Sequence, residues 1–116
     1  MKKLAIFREH KAGHTSNGQQ LAGLISVAQV DNELTVNISI SNLALKSGAY
    51  VCYLVDTKER TEKFALSEKN CFTLTSNLDL SNGFFAGIFH EDANQTLIAW
   101  AVNGVGDFSF LKSSNK

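Results

Sequence analysis

The sequence predicts an all-β protein: an antiparallel two-sheet β-sandwich of about eight strands with an immunoglobulin-like layout. Three observations carry that expectation. Residues Glu33–Ser41 alternate Leu34, Val36, Ile38 and Ile40 with Thr35, Asn37, Ser39 and Ser41, the period-two pattern of a strand with one buried face. A second apolar run, Gln19–Val30, precedes it across only Asp31-Asn32, the length of a tight hairpin turn. Turn dipeptides at Asn17-Gly18, Ser47-Gly48, Asn82-Gly83 and Asn103-Gly104 punctuate the rest of the chain. Asn and Gly tolerate the positive φ that such turns require.

Taken in order, the strand candidates begin with Leu4–Arg8, followed by the hairpin of Gln20–Val30 and Glu33–Ser41. Between them His10–Gln20 is polar and glycine-bearing, which reads as a long loop or arm. Leu43 and Leu45 in Asn42–Lys46 either prolong the strand pattern or form one helical turn, and helix signals elsewhere are weaker still. Ala49–Asp56 and Lys63–Ala65 follow. Lys58–Lys63 alternates charges and reads as a solvated hairpin loop that also guards a sheet edge, a task left to charge because the chain has no Pro. Cys71–Thr75, Phe84–His90, Leu97–Val102 and Phe108–Leu111 complete the series, and the polar tail Lys112–Lys116 is expected to fray. The expected core contains Leu34, Val36, Ile38, Ile40, Val51, Tyr53, Val55 and Trp100.

A length of 116 residues and a hydrophobic share of 44% fit one domain, residues 1–116, with a core of its own. Eleven basic and eleven acidic side chains give a formal net charge of +0, so no long-range field attracts nucleic acid or anionic lipid. Lys2 and Lys3 resemble the start of an export signal, but Arg8, Glu9 and His10 interrupt the apolar stretch Leu4–Phe7 too early. A cytoplasmic location with no membrane span is therefore expected, and with it reduced thiols at Cys52 and Cys71. The sequons Asn37-Ile38-Ser39 and Asn94-Gln95-Thr96 would matter only after secretion.

Four kinds of chemistry can be weighed. For a metal, the candidates are His10 and His14, four residues apart, and His90 beside Glu91 and Asp92; that spacing converges on a helix face, whereas Gly13 and its polar neighbours indicate loop, so no metal is expected. For catalysis, Ser39-Ile40-Ser41 and Ser81-Asn82-Gly83 are not nucleophile elbows and neither cysteine sits in a Cys/His signature, so the reading is a non-enzyme with no catalytic residue. For a nucleotide or other cofactor, Gly104-Val105-Gly106 has neither a following helix nor a Lys-Ser/Thr pair, and none is expected. The aromatic residues are left. Phe84 and Phe85 must project to opposite faces of one strand, and Phe108-Ser109-Phe110 puts two rings on one face; these four form the candidate interaction surface.

From Gly48 onward the layout resembles the β-sandwich domain at the outer end of bacterial anti-sigma-K type factors. The resemblance rests on Tyr50-Val51-Cys52-Tyr53-Leu54-Val55, a charged turn, strands bearing Phe64 and Phe72, Leu78-Asp79-Leu80-Ser81, Phe84–His90 and the closing Leu97–Val102. It covers a little over half the chain. It implies a non-catalytic immunoglobulin-like sandwich and carries over no sigma-factor regulation, since the helical segment and membrane span of that family have no counterpart here. The Cys-Trp-Cys order of immunoglobulin domains is also missing, because Trp100 follows both cysteines. The functional expectation is a non-enzymatic domain that acts through protein contacts with an unidentified partner, or with a second copy as a homodimer. The alternative is a small-ligand or metal-binding sandwich using His10, His14 and His90.

Overall fold

A computed structural model describes residues 2–10, 21–41, 43, 49–67, 70–91 and 95–104. These contain eight strands and no helix: β1 Lys2–Glu9, β2 Ala22–Val30, β3 Glu33–Ser41, β4 Tyr50–Asp56, β5 Thr61–Ala65, β6 Cys71–Thr75, β7 Gly83–His90 and β8 Thr96–Gly104. All pairings are antiparallel, in the spatial order β5-β4-β7-β8-β1-β2-β3-β6. The β2–β3 hairpin has the register its alternation demands. Val30 pairs with Glu33 and Ile25 with Ile38, leaving Asp31 and Asn32 as the turn, with Asp31 at φ 54°, a left-handed conformation that a short polar side chain tolerates.

One sheet runs through all eight strands, nearly closed and barrel-like rather than clearly two stacked sheets. The continuity comes from β1. Lys2–Phe7 pair with β2, and Arg8 and Glu9 then pair with β8, so one strand belongs to both halves. At the two ends of the order, the rings of Phe64 on β5 and Phe72 on β6 meet at 4.8 Å between centroids. Alternation identifies the buried face of each strand but not whether the sheet curls back on itself, which explains why two separate sheets were expected. The sequence candidates Phe108–Leu111, His10–Gln20 beyond its first residue, most of Asn42–Lys46, and Lys112–Lys116 lie outside the described residues.

The inward side chains form one cluster that includes Phe7, Ile25, Val27, Leu34, Val36, Leu54, Phe84 and Ile88. Where β2 and β4 finish, the β6–β7 connection turns Leu78 and Leu80 into this core. Polar side chains from β2 and β4 hold that connection. Gln29 donates through Nε2 to the Leu78 carbonyl at 2.7 Å. The fully buried Asp56 accepts from the Lys58 and Arg60 amides at Oδ1, both 2.9 Å, and from the Arg60 Nε and the Asp79 amide at Oδ2, 2.9 and 3.0 Å. Burial alone would raise the pKa of Asp56, but these donors outweigh it and hold the carboxyl below its ordinary value.

The structure corrects the reading of the doubled Phe. Phe84 and Phe85 do project to opposite faces, yet both are buried: Phe84 in the main core and Phe85, at 1% exposure, under Val55, Trp100 and Val102 on the outer face. Gly87 makes this possible, because a Cβ there would come within 2.8 Å of the Phe85 ring and 2.9 Å of the Phe89 ring. Tyr53, Trp100 and Ile40, expected in the core, are half-buried; Tyr53 and Trp100 belong to the outer face of strands whose alternate residues fill the interior. A register shift at Ile88/Phe89 leaves Ile98 outside the β7–β8 pairing, and its carbonyl accepts the His10 amide at 2.7 Å. Cys52 points inward and Cys71 outward, and neither forms a disulfide.

Candidate functional site

The site begins with the alternation of β1. Ala5 and Phe7 face the core, so Lys2, Leu4, Ile6 and Arg8 face outward and are exposed. The neighbouring β2 turns Ala22, Leu24, Ser26, Ala28 and Val30 to the same side, with Ile6 opposite Leu24. On the other flank Arg8 pairs with Trp100 of β8, and Val102 follows two residues later. Four large apolar side chains are left in water here, Leu4 at 51%, Ile6 at 71%, Leu24 at 38% and Val30 at 68% exposure. Such a concentration on one face marks a contact surface more often than scattered single residues do.

A groove of about 560 Å³ runs along the β1–β8 seam, walled by Leu4, Ile6 and Leu24 on one side and Trp100 and Val102 on the other. It exists because β1 and β8 pair only at Arg8 and Glu9 among the described residues, and beyond them the outward side chains spread apart. Asn103 spans the divergence, donating through Nδ2 to the Leu4 carbonyl at 2.6 Å. At the paired end the Arg8 guanidinium lies 5.8 Å from the Trp100 ring centroid, within cation–π range. The groove therefore offers apolar walls and one oriented cation. Desolvation of an apolar partner is what it can do; the lining contains no nucleophile and no carboxylate.

The candidates drawn from the sequence lie elsewhere. His10 and His90 flank the start of β8, His10 through its amide to Ile98 and His90 through its pairing with Thr96. The His90 ring packs 5.0 Å from that of Tyr50. His14, Phe108 and Phe110 lie outside the described residues. Among the described residues no group of three or more His, Cys, Asp and Glu is placed to hold a metal ion, and no helix is long and apolar enough to cross a membrane. Burial pushes the Cys52 thiol up to about 12, where the nucleophilic thiolate is scarce.

Sequence reasoning missed Leu4, Ile6 and Leu24 as surface residues. The run Leu4-Ala5-Ile6-Phe7 is apolar on both faces, which reads as a strand covered on both sides. The signal was the brevity of that run and its cationic neighbours Lys2, Lys3 and Arg8, which belong on a surface. In comparisons with known proteins the chain matches no family model, no curated sequence and no solved structure.

Proposed function

We propose that this chain is a cytoplasmic, non-catalytic binding domain whose contact surface is the outer face of β1, β2 and β8, and that its partner is another polypeptide. The observation that carries the reading is the exposure of Leu4, Ile6 and Leu24 around one groove. An apolar centre with polar surroundings is the anatomy of a protein-contact patch. The neighbouring outward residues Glu33, Thr35, Asn37 and Ser39 of β3 supply a polar rim on one side. The layout likeness to the sandwich domain of anti-sigma-K type factors supports the same non-catalytic reading and the immunoglobulin-like description that goes with it.

A second copy is the less favoured partner. Apposing two β1 faces about a two-fold axis brings Lys2 of one against Arg8 of the other, and like charges directly opposite one another are destabilising. The test is a photo-crosslinking side chain introduced at position 6, with exposed position 58 in the β4–β5 turn as control, in the native cell. Heavier adducts at position 6 and none at 58 are expected. Equal labelling at both, or none at either, overturns the reading.

A further inference from the structure

We infer that the β1–β2–β8 face receives an extended segment of a partner protein whose apolar side chains are flanked by carboxylates; this rests on the contact reading above and specifies the partner's chemistry. The outward residues of β1 read Lys2, Leu4, Ile6, Arg8, an apolar pair with a cation at each end. At a strand rise of about 3.3 Å per residue the two cations stand roughly 20 Å apart, the span of about seven residues of extended chain. Neither cation has a carboxylate partner among the described residues, where the ion pairs are Arg60–Asp56 and Lys63–Glu91. The only carboxylate of β1, Glu9, accepts the Leu21 amide at 3.1 Å. On β2 the outward Leu24, Ser26 and Ala28 carry no charge.

The division of labour follows from this layout. Leu4, Ile6 and Leu24 supply affinity by losing water, while Lys2 and Arg8 set the register and orientation of whatever lies between them. Arg8 is suited to that task because the Trp100 ring holds its guanidinium at the end of the groove, and a guanidinium matches a carboxylate with two parallel hydrogen bonds. An anionic membrane is the weaker occupant. The chain's net charge of +0 gives no field toward an anionic surface, and the apolar residues wall a concave groove instead of forming a convex wedge.

Trp100 is the only tryptophan in the chain and lines the groove, so its emission reports occupancy directly. The probes are three short, end-blocked peptides that alternate leucine with glutamate, with serine or with lysine, together with phosphatidylglycerol vesicles. The glutamate peptide is expected to shift Trp100 emission and to bind about tenfold or more tightly than the serine peptide, with the lysine peptide weakest. The double variant Lys2→Glu, Arg8→Glu should reverse that order, with an unchanged unfolding midpoint showing that it folds. Equal affinity for all three peptides overturns the charge rule and leaves the apolar contact face standing. If no peptide binds, the inference is overturned, and the crosslinking at position 6 then decides separately whether the contact reading survives. A Trp100 shift with vesicles and with none of the peptides overturns the inference in favour of a lipid surface.

Discussion

At the scale of single residues, Asp56 and Cys52 show how burial and hydrogen bonding set chemistry. Removing the Asp56 carboxylate leaves two amides of its own turn, the Asp79 amide and the Arg60 guanidinium without their acceptor. Asp56→Ala is therefore expected to cost about 3 kcal/mol of stability in a denaturant titration. The pH dependence has a definite sign. The folded pKa of Asp56 is lowered relative to an unfolded value of about 3.9, so its contribution is complete above that value and is lost as pH falls through the folded pKa. Acid titration of the unfolding midpoint should fall more steeply for the wild type than for Asp56→Asn; parallel curves would show that Asp56 is not the linked group. The two thiols should also separate. Exposed Cys71 should react with a thiol reagent in the native protein, and Cys52, with its thiol pushed up to about 12, only after unfolding.

Among the elements, β3 was legible from sequence to the residue, because one face is uniformly apolar and the other uniformly polar and a slip of one position would exchange them. Ile38, 6% exposed and opposite Ile25, is the direct check on that register: Ile38→Ala should cost about 2–5 kcal/mol by chemical denaturation, and no loss would refute the pairing. The neighbouring β1 was legible only as a strand. Its two apolar faces look alike in sequence, and what distinguishes them is that Ala5 and Phe7 pack on the core while Leu4 and Ile6 meet no covering strand among the described residues. Phe85 posed the reverse problem. Alternation put it on the outer face, but the cover provided by Val55, Trp100 and Val102 comes from residues at least fifteen positions away in sequence. Burial takes Phe84 and Phe85 out of solvent, and the exposed apolar side chains lie on β1 and β2 instead.

For the whole molecule, the unseen step was closure. Hairpins are local and announce themselves through turn residues, whereas the β1–β8 pairing joins Arg8 to Trp100 and the Phe64–Phe72 contact joins the first and last strands of the spatial order. No local pattern encodes either. The same closure creates the candidate site, since β1 has to leave β8 in order to follow β2, and the divergence opens the groove. Because Lys2 and Arg8 oppose self-pairing of this face, sedimentation at micromolar concentration should return a monomer; a dimer dispersed by Ile6→Thr would show that the face serves a second copy. The most direct measurement compares proteins from native-cell extract that are retained by the wild type and by the double variant Ile6→Thr, Leu24→Thr. Both positions are exposed, so the two proteins should unfold at the same midpoint to within about 0.5 kcal/mol. A partner retained by the wild type and lost from the variant at matched stability is expected; an identical set on both would show that this face is not the contact surface.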